Sequence, residues 1–422
     1  MTQLDLTQIL SQFVKESPED QRAELTDDDV TNTMAFELSW QHNGIKHSMV
    51  TINYKVNLWR DIFPFALDGK LKGLKVGDVF SHDFTPGNFI PEFDKYLATS
   101  VRTKQFNTTH RLNTIIEPKV GRFYPKGFIA GTHNIYPEDI TPFRITAIDD
   151  KISIDLNHAL AQTAVSFKGQ ILDIWMAKAL RGGSCNDIAE LASKDAGLQC
   201  QYQDQETDFW SGIPFARMMD SDDAKFYSKT HTENDVDGTA QGILQQAYRQ
   251  LLTPSDTILD LMTGRQSYLI EHSGEVIGLG LNDAAMCENS ELESHFIHDV
   301  NATPELPFSN NQFDSAICSF SVEYLTQPIA VFEQIKRTVK PGGLFAIAIS
   351  NRYQQEKVTQ LWQDLHEQER VGFVLELMKK AGFDNLNSWS LNGLYRPDDD
   401  PRIKQSVFAD PIFVIWGQVP KH

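Results

Sequence analysis

The stretch TILDLMTGRQSYL, residues 257–269, combines an apolar run with an acid and a glycine that could hold a ligand. The apolar run predicts a buried strand, followed by a turn and a helix. Asp260 would end the strand, and Gly264 would let the backbone approach a ligand at the N-terminus of that helix. Many strand-to-helix corners that bind no nucleotide also carry one acid and one glycine, so this stretch alone leaves both interpretations open.

Three later stretches follow in the order expected of alternating strands and helices. They are VIGLGLN at 276–282, HDVNATPELPF with FDSAICSFSVEYL at 298–325, and VKPGGLFAIAISN at 339–351. With LDLMTG, LPF…FD and KPGG in one frame, residues 221–418 resemble class I S-adenosylmethionine-dependent methyltransferases, particularly a bacterial subgroup with VLDLM in its first strand. The resemblance implies an α/β doubly wound, Rossmann-like methyltransferase domain with S-adenosyl-L-methionine as its cofactor.

The resemblance assigns the cofactor site to residues at the ends of the predicted strands. Most class I enzymes end the second strand with an acid that binds the ribose hydroxyls, but the aligned residue here is Gly280. Asn282 takes that role because its amide both donates and accepts hydrogen bonds. Asp299 and Asn301 lie where the family contacts adenine. The alternative for Asp299 is a strand-end cap, and the alternative for Asn301 is a solvated loop. The predicted cofactor-binding set is Asp260, Met262, Thr263, Gly264, Gly280, Asn282, Asp299, Val300, Asn301 and Phe320.

The acceptor site is assigned to segments that surround the same strand ends. Methyl transfer from a sulfonium mainly needs alignment of donor and acceptor, so the sequence need not show an obvious base. Glu323 and Tyr324 follow the fourth strand, where this fold brings methyl group and acceptor together, and they are the candidate catalytic residues. Tyr324 equally fits a core aromatic residue. The candidate acceptor-binding residues are Tyr227, Asn351, Arg352, Trp40 and Phe63.

The first half of the chain has short alternating segments typical of a β-rich domain. Asn43-Gly44 suits a tight hairpin turn. GLKVGDVF at 73–80 and the DLNHALA stretch within 145–174 resemble FKBP-type prolyl isomerases of the SlyD-like branch. That resemblance implies an α+β domain with an inserted subdomain at about 84–139, and an aromatic pocket that includes Trp40 and Phe63. KHSMV replaces the family's acid, which argues against isomerase activity.

The two resemblances divide the 422 residues into three predicted parts. They are an FKBP-like domain at 1–175, a helical connector at 176–220 and a methyltransferase domain at 221–422. No apolar run could span a membrane, and the N-terminus does not read as a secretory signal, so we expect a cytoplasmic protein.

Composition limits the partners of this chain. A formal net charge of −19, with 57 acids against 38 bases, disfavours nucleic acid and anionic membranes. The four cysteines are scattered, and His133 and His158 lack ligand partners at metal-binding spacing, so no metal site is predicted.

Three functions are compatible with these patterns. The first is methyl transfer to a small-molecule acceptor, with the FKBP-like domain covering or shaping the acceptor site. The alternative is a chaperone-like, peptide-binding protein whose methyltransferase domain modifies a protein client or only senses cofactor. The third is a scaffold whose altered loops no longer bind cofactor, which the changes at Gly280 and in the first loop favour.

Overall fold

A large mixed sheet and a small antiparallel sheet organise the chain. The computed structural model describes residues 4–11, 13, 24–26, 30–67, 69–109, 115–132, 135–176, 184–228 and 234–421. The large sheet has eleven strands and the small sheet has four. No helix in these ranges has both the length and the apolar character needed to cross a membrane.

The described residues of the first half form one short α-helix and eight strands. The helix is α1 (Leu6–Leu10), and the strands are β1 (Val30–His42), β2 (Ile45–Val56), β3 (Val79–Phe84), β4 (Ala98–Arg102), β5 (Phe123–Pro125), β6 (Pro142–Ile148), β7 (Lys151–Asp155) and β8 (Val165–Met176). Asn43 and Gly44 close the β1–β2 hairpin with φ of 49° and 77°, which confirms the predicted turn. Both values are left-handed, which Asn and Gly tolerate best.

The small sheet lies between β3 and β8 in the sequence. Its strand order is β4-β7-β6-β5, and a separate apolar core lies within it, formed around Phe143, Ile145, Ile152 and Ile154. The predicted strands around Asp149-Asp150 are present as β6 and β7. They pair within this small sheet, so the inserted sheet extends past the predicted limit at residue 139.

The second half alternates strands and helices. Its elements are α2 (Ile188–Ser193), α3 (Asp223–Tyr227), α4 (Gly238–Leu251), β9 (Ile258–Leu261), β10 (Val276–Gly280), α5 (Asp283–Glu288), β11 (Ser294–Ile297), β12 (Phe313–Ser319), α6 (Pro328–Thr338), β13 (Val339–Ile349), α7 (Gln360–Asp364), α8 (Glu367–Ala381), β14 (Asp384–Asn392) and β15 (Ile412–Gln418). Single-turn 3-10 helices occupy Phe65–Leu67, Thr103–Gln105, Lys126–Phe128 and Val322–Tyr324. The described part of the predicted connector, 184–220, contains only the helix α2.

The strands of the second half form the doubly wound sheet that the sequence predicted. Their order is β11-β10-β9-β12-β13-β15-β14, with β9 to β13 parallel and β15 antiparallel to both neighbours. From β9 the chain builds outward to β10 and β11, then returns to β12 on the other side. The carboxyl ends of β9 and β12 therefore flank the topological switch point, where open α/β sheets bind ligands.

One continuous sheet joins the two halves of the chain. β14 pairs in parallel with β2, from Asn387 opposite Lys46 to Asn392 opposite Thr51. The buried His47 Nδ1 lies 2.8 Å from Ser388 Oγ across the same junction. The N-terminal strands then continue in the order β2-β1-β8-β3.

The helix predicted after β9 is not formed, because the loop at 262–275 has other hydrogen-bond partners. The Glu291 carboxylate accepts the backbone N–H groups of Ser267 at 2.6 Å and Leu269 at 3.0 Å. Tyr268 and Glu271 have left-handed φ values of 59° and 55°, which a helix does not allow. Gly264 consequently lies in a loop and not at a helix N-terminus, which corrects the prediction.

Candidate functional site

A cleft opens at the carboxyl ends of β9, β10 and β12. It contains about 1220 Å³ of empty space, part of which is open to solvent. All ten residues that the sequence assigned to the cofactor line this cleft, together with Tyr227 and Tyr324. The cleft therefore brings together residues that are more than 90 positions apart in the sequence, counting from Tyr227 to Tyr324.

The two strand ends at the switch point have strained backbones. Met262, after β9, and Phe320, after β12, have left-handed φ values of 57° and 52°. Such conformations cost non-glycine residues on the order of 1 kcal/mol and cluster at functional sites. Hydrogen bonds hold both turns: the Thr263 N–H donates to Leu279 O at 3.0 Å, and the Phe320 N–H donates to Ala348 O at 2.8 Å.

Asp260 and Thr263 present polar atoms to the cleft that no described residue satisfies. Asp260 is 2% exposed, and its Oδ2 atom and the Thr263 hydroxyl are buried without hydrogen-bond partners. Burial raises the pKa of the Asp260 carboxyl to about 7 against the opposing effect of the neighbouring Ser267 and Thr263 side chains, and the negative charge of Glu291 adds a smaller increase. A bound cationic group would stabilise the ionised carboxylate. These two atoms fit a ligand that carries an ammonium group.

The glycine at the end of β10 is required by close packing. A Cβ at Gly280 would lie 2.4 Å from the Thr263 carbonyl oxygen and 3.1 Å from Met286 Sδ. The first loop thus lies against the second strand so closely that no side chain fits there. A side chain at this position, acidic or otherwise, would therefore require the first loop to move.

Asn282 and Asp299 line the cleft with side chains that already stabilise local structure. Asn282 Oδ1 accepts the Ala285 N–H at 3.0 Å as the N-cap of α5, and its Nδ2 donates to Tyr227 O at 2.8 Å. Asp299 Oδ1 accepts the N–H groups of Asn301 and Ala302. Asp299 therefore forms the strand-end cap that was the alternative to an adenine contact. Their cofactor roles stay predictions.

Asn301 connects three segments around the cleft. Its Nδ2 donates to Asp223 Oδ2 and to Tyr324 O, each at 3.0 Å. Its Oδ1 accepts the Thr326 N–H at 2.8 Å. The solvated loop that was the alternative for Asn301 does not describe this residue, which is tied to α3 and to the turn after β12.

A buried charge cluster that the sequence did not indicate fixes α3 over the cleft. Asp223 lies 2.7 Å from Arg217 Nη1 and 2.6 Å from Lys357 Nζ, and the Lys357 side chain is fully buried. Hydrogen bonds from Arg217, Lys357 and Asn301 outweigh burial and lower the pKa of Asp223. The sequence around Lys357 does not predict this pairing, because its partners are about 130 residues away.

The two candidate catalytic residues occupy different positions. Tyr324 lines the cleft, and its hydroxyl accepts the Gln354 N–H at 2.8 Å. Glu323 is buried and does not line the cleft. Its Oε2 atom has no hydrogen-bond partner among the described residues. Burial, then the negative charge of Asp235, raises the pKa of the Glu323 carboxyl to about 8.

The remaining predicted acceptor residues divide into two groups. Arg352 Nη1 donates to the carbonyls of Asn234 and Asp235, both of which line the cleft, while Asn351 is exposed outside the lining. Arg352 therefore positions a wall of the cleft and does not itself line it.

Trp40 and Phe63 are not brought to this cleft. Trp40 lies on β1, six strands from β9 in the sheet order. At the usual spacing between neighbouring strands, β1 and β9 are separated by about 29 Å across the sheet. Its Nε1 donates to Cys200 Sγ, and it lines a second cavity that contains about 1200 Å³. Phe63 packs against the apolar core of the first half.

One group of side chains in the described ranges has the composition of a metal site. Asp283, Cys287 and His295 place their ligand atoms within 4.8 Å of one another, outside the lining of the cleft. The sequence analysis did not place these residues together because His295 is on a separate strand, and its Nε2 already lies 2.8 Å from Asp283 Oδ1. His158 caps its own loop by accepting the Leu160 N–H at 3.1 Å; His133 lies outside the described residues.

Comparison with known proteins finds similarity to methyltransferases in part of the chain. A family model described as a methyltransferase domain matches residues 261–347, from the end of β9 into β13. Over 128 residues the chain is 25% identical to malonyl-[acyl-carrier protein] O-methyltransferase of Marinomonas sp., covering 28% of this chain and 47% of that protein. Over 82 residues it is 28% identical to demethylmenaquinone methyltransferase of Staphylococcus saprophyticus, covering 18% and 35%.

The chain thus spans less than half the length of these curated relatives. Solved structures of S-adenosylmethionine-dependent methyltransferases are also similar. One from Archaeoglobus fulgidus has a TM-score of 0.32 at 12% identity, covering 42% of this chain and 94% of that one. One from Mesorhizobium loti has a TM-score of 0.29 at 15% identity, covering 41% and 95%. Residues 261–347 are thus similar to a methyltransferase domain, and S-adenosylmethionine is the cofactor that this similarity implies.

Proposed function

We propose that this protein transfers a methyl group from S-adenosylmethionine to a small-molecule acceptor bound in the cleft at the switch point. The observation that carries the proposal is the buried Asp260 Oδ2, which has no close hydrogen-bond partner among the described residues and lies beside two strained strand ends. The bound cofactor supplies an activated methyl group. Asp260 would hold its ammonium group, and Thr263 its carboxylate.

The acceptor is proposed to lie against α3 and the turn after β12. Tyr227, Tyr324 and Gln354 line that end of the cleft. The relatives are named for malonyl-acyl-carrier protein and demethylmenaquinone, which are chemically different acceptors. Their names therefore do not indicate which acceptor this protein uses. The net charge of −19 supports an acceptor other than nucleic acid.

For the N-terminal half we propose a role in fixing the methyltransferase frame. The parallel β2–β14 pairing and the contact of the small sheet with α8 support this role. Covering of the acceptor site by an FKBP-like domain, as the sequence predicted, receives no support from Trp40 and Phe63, which lie away from the cleft.

A second candidate function is peptide binding by the first half, which an exposed set of large apolar residues favours. Phe65 is 89% exposed, Tyr96 79% and Ile140 79%. Large apolar side chains this exposed are candidate contact residues for a partner. Binding of an unfolded client such as reduced carboxymethylated lactalbumin would separate this function from the first.

Calorimetric titration of the full chain with S-adenosylmethionine and S-adenosylhomocysteine tests the proposed function. We expect micromolar binding that Asp260→Asn weakens at least tenfold, because the substitution keeps the shape of the side chain and removes its charge. Asp150→Asn, in an exposed turn, is the matched control and should bind as the wild type does. A folded protein that binds neither ligand would refute the proposal and favour the scaffold.

A further inference from the structure

Three side chains that bind metals in other proteins converge at the surface outside the cleft. Asp283 and Cys287 are on α5, and His295 is on β11; one ligand atom from each lies within 4.8 Å of the other two. The imidazole and the carboxylate are already in contact, with 2.8 Å between His295 Nε2 and Asp283 Oδ1. Cys287 is an exposed free thiol. A carboxylate, a thiol and an imidazole therefore surround one point.

The backbone brings these side chains together. The two ligands on α5 are four residues apart, so they lie on one face of the helix. α5 packs over β10, since Met286 Sδ lies 3.1 Å from the position of a Cβ at Gly280. Gly278 points to the same side of the sheet as Gly280, and His295 pairs with Gly278 on the neighbouring strand. The imidazole consequently projects from the sheet on the side that α5 covers.

The donor set selects the kind of metal. Thiolate, imidazole and carboxylate are the ligand types that Zn²⁺ takes in proteins, at about 2.3, 2.1 and 2.1 Å. Tetrahedral coordination at these bond lengths separates the ligand atoms by about 3.3–3.6 Å, so side-chain shifts of about 1 Å would complete the site. Mg²⁺ and Ca²⁺ take oxygen ligands, of which this group offers one carboxylate. The group therefore favours zinc over the hard cations.

The charge of the surrounding segment also favours a cation. Residues 282–295 include no lysine or arginine and four acids, which are Asp283, Glu288, Glu291 and Glu293. Arg265, from the loop after β9, is paired with Glu288 at 3.1 Å. The negative charge of the segment thus exceeds the positive charge that pairs with it, and a divalent ion is attracted to the group.

We propose that Asp283, Cys287 and His295 bind a zinc ion that joins α5 to β11. Cys287 binds as the thiolate and releases its proton to solvent, His295 binds as the neutral imidazole, and water takes the fourth position. None of the three ligands lines the cleft, so the ion has a structural role and does not touch the cofactor or the acceptor. Zinc binding here is independent of methyl transfer.

Titration of the metal-free full chain with Co²⁺ tests this site by a readout other than activity. Bound Co²⁺ should give a thiolate-to-cobalt charge-transfer band in the near ultraviolet, which stoichiometric Zn²⁺ removes and excess Mg²⁺ does not. Cys287→Ser should abolish the band. Competition with a chromophoric chelator should show that Cys287→Ser and His295→Gln each weaken Zn²⁺ binding about tenfold or more. Cys185→Ser, which changes the other exposed thiol, is the matched control and should alter neither readout.

Thermal unfolding separates loss of the site from loss of the fold. Without metal, the variants should unfold at a temperature close to that of the wild type. Excess Zn²⁺ should raise the unfolding temperature of the wild type and Cys185→Ser, but not of Cys287→Ser or His295→Gln. A missing charge-transfer band, or one that persists in Cys287→Ser, would overturn the proposal. Zinc that binds the wild type and all variants equally would be an adventitious ion only, which also refutes it.

Discussion

Arg122, next to β5 of the small sheet, and Glu369, in the first turn of α8, form a salt bridge in which both side chains are 2% exposed. The Nε–Oε1 distance is 3.1 Å. Glu369 Oε1 also accepts the Phe123 N–H, and its Oε2 accepts the His366 N–H that begins α8. One carboxylate therefore completes a helix cap and fixes the small sheet against α8.

Removing one partner of this pair should strongly destabilise the protein. Glu369→Gln leaves the Arg122 charge buried without a counterion, for which losses of about 3–5 kcal/mol are typical. Urea unfolding followed by tryptophan fluorescence measures the shift. Arg249→Ala, which breaks the exposed pair with Glu271, should cost less than about 1 kcal/mol. Equal effects of the two variants would show that the buried pair does not stabilise the junction.

Cofactor affinity should depend on pH through Asp260, whose pKa burial raises to about 7. A cationic ligand binds the ionised carboxylate, so affinity is full above pH 7 and falls as the carboxyl is protonated. We expect S-adenosylhomocysteine to bind about tenfold more weakly at pH 6 than at pH 8. Calorimetry at pH 6, 7 and 8 measures this. Asp260→Asn should bind S-adenosylhomocysteine weakly, with an affinity that does not change between pH 6 and pH 8. If the affinity of this variant still depends on pH, a group other than Asp260 causes the dependence.

Glu323 should destabilise the ligand-free fold at high pH. Its pKa is about 8 in the folded protein against 4.5 as the ordinary value, so the folded state binds the proton more tightly. Its contribution to stability is complete below pH 4.5 and is lost as pH rises to about 8.

Glu323→Gln should therefore be more stable than the wild type at pH 8, by a few kcal/mol at most, and about equal to it at pH 4.5. Thermal unfolding at both pH values, with Glu305→Gln as control, provides the measurement. A variant less stable than the wild type at pH 8 would contradict this account.

Two glycines of the cleft should differ in their response to an added methyl group. Gly280→Ala places a Cβ 2.4 Å from a backbone oxygen, whereas Gly264→Ala meets no atom within 4 Å. Overpacking of this kind typically costs about 1–3 kcal/mol. We expect Gly280→Ala to lower the midpoint of urea unfolding, and Gly264→Ala to leave it unchanged. Similar midpoints for both variants would mean that the first loop moves away from β10 without cost.

Local patterns in the sequence were sufficient for the alternating elements and for much of the lining of the cleft. Apolar runs that end in polar residues predict parallel strands, and the carboxyl ends of neighbouring parallel strands meet at one edge of a sheet. For that reason Asp260, Gly280, Asp299 and Phe320 were placed together correctly. The Asn43-Gly44 turn was predicted because its backbone requirement is local.

Tertiary structure alone decided the features that depend on distant partners. The loop after β9 is not a helix because Glu291, about 24 residues later, satisfies its backbone N–H groups. The β2–β14 pairing, the burial of Lys357 against Asp223 and the Arg122–Glu369 contact join segments more than 100 residues apart. Hydrophobic periodicity records which face of an element is buried, but it does not record what covers that face, so these contacts leave no signal in the sequence by itself.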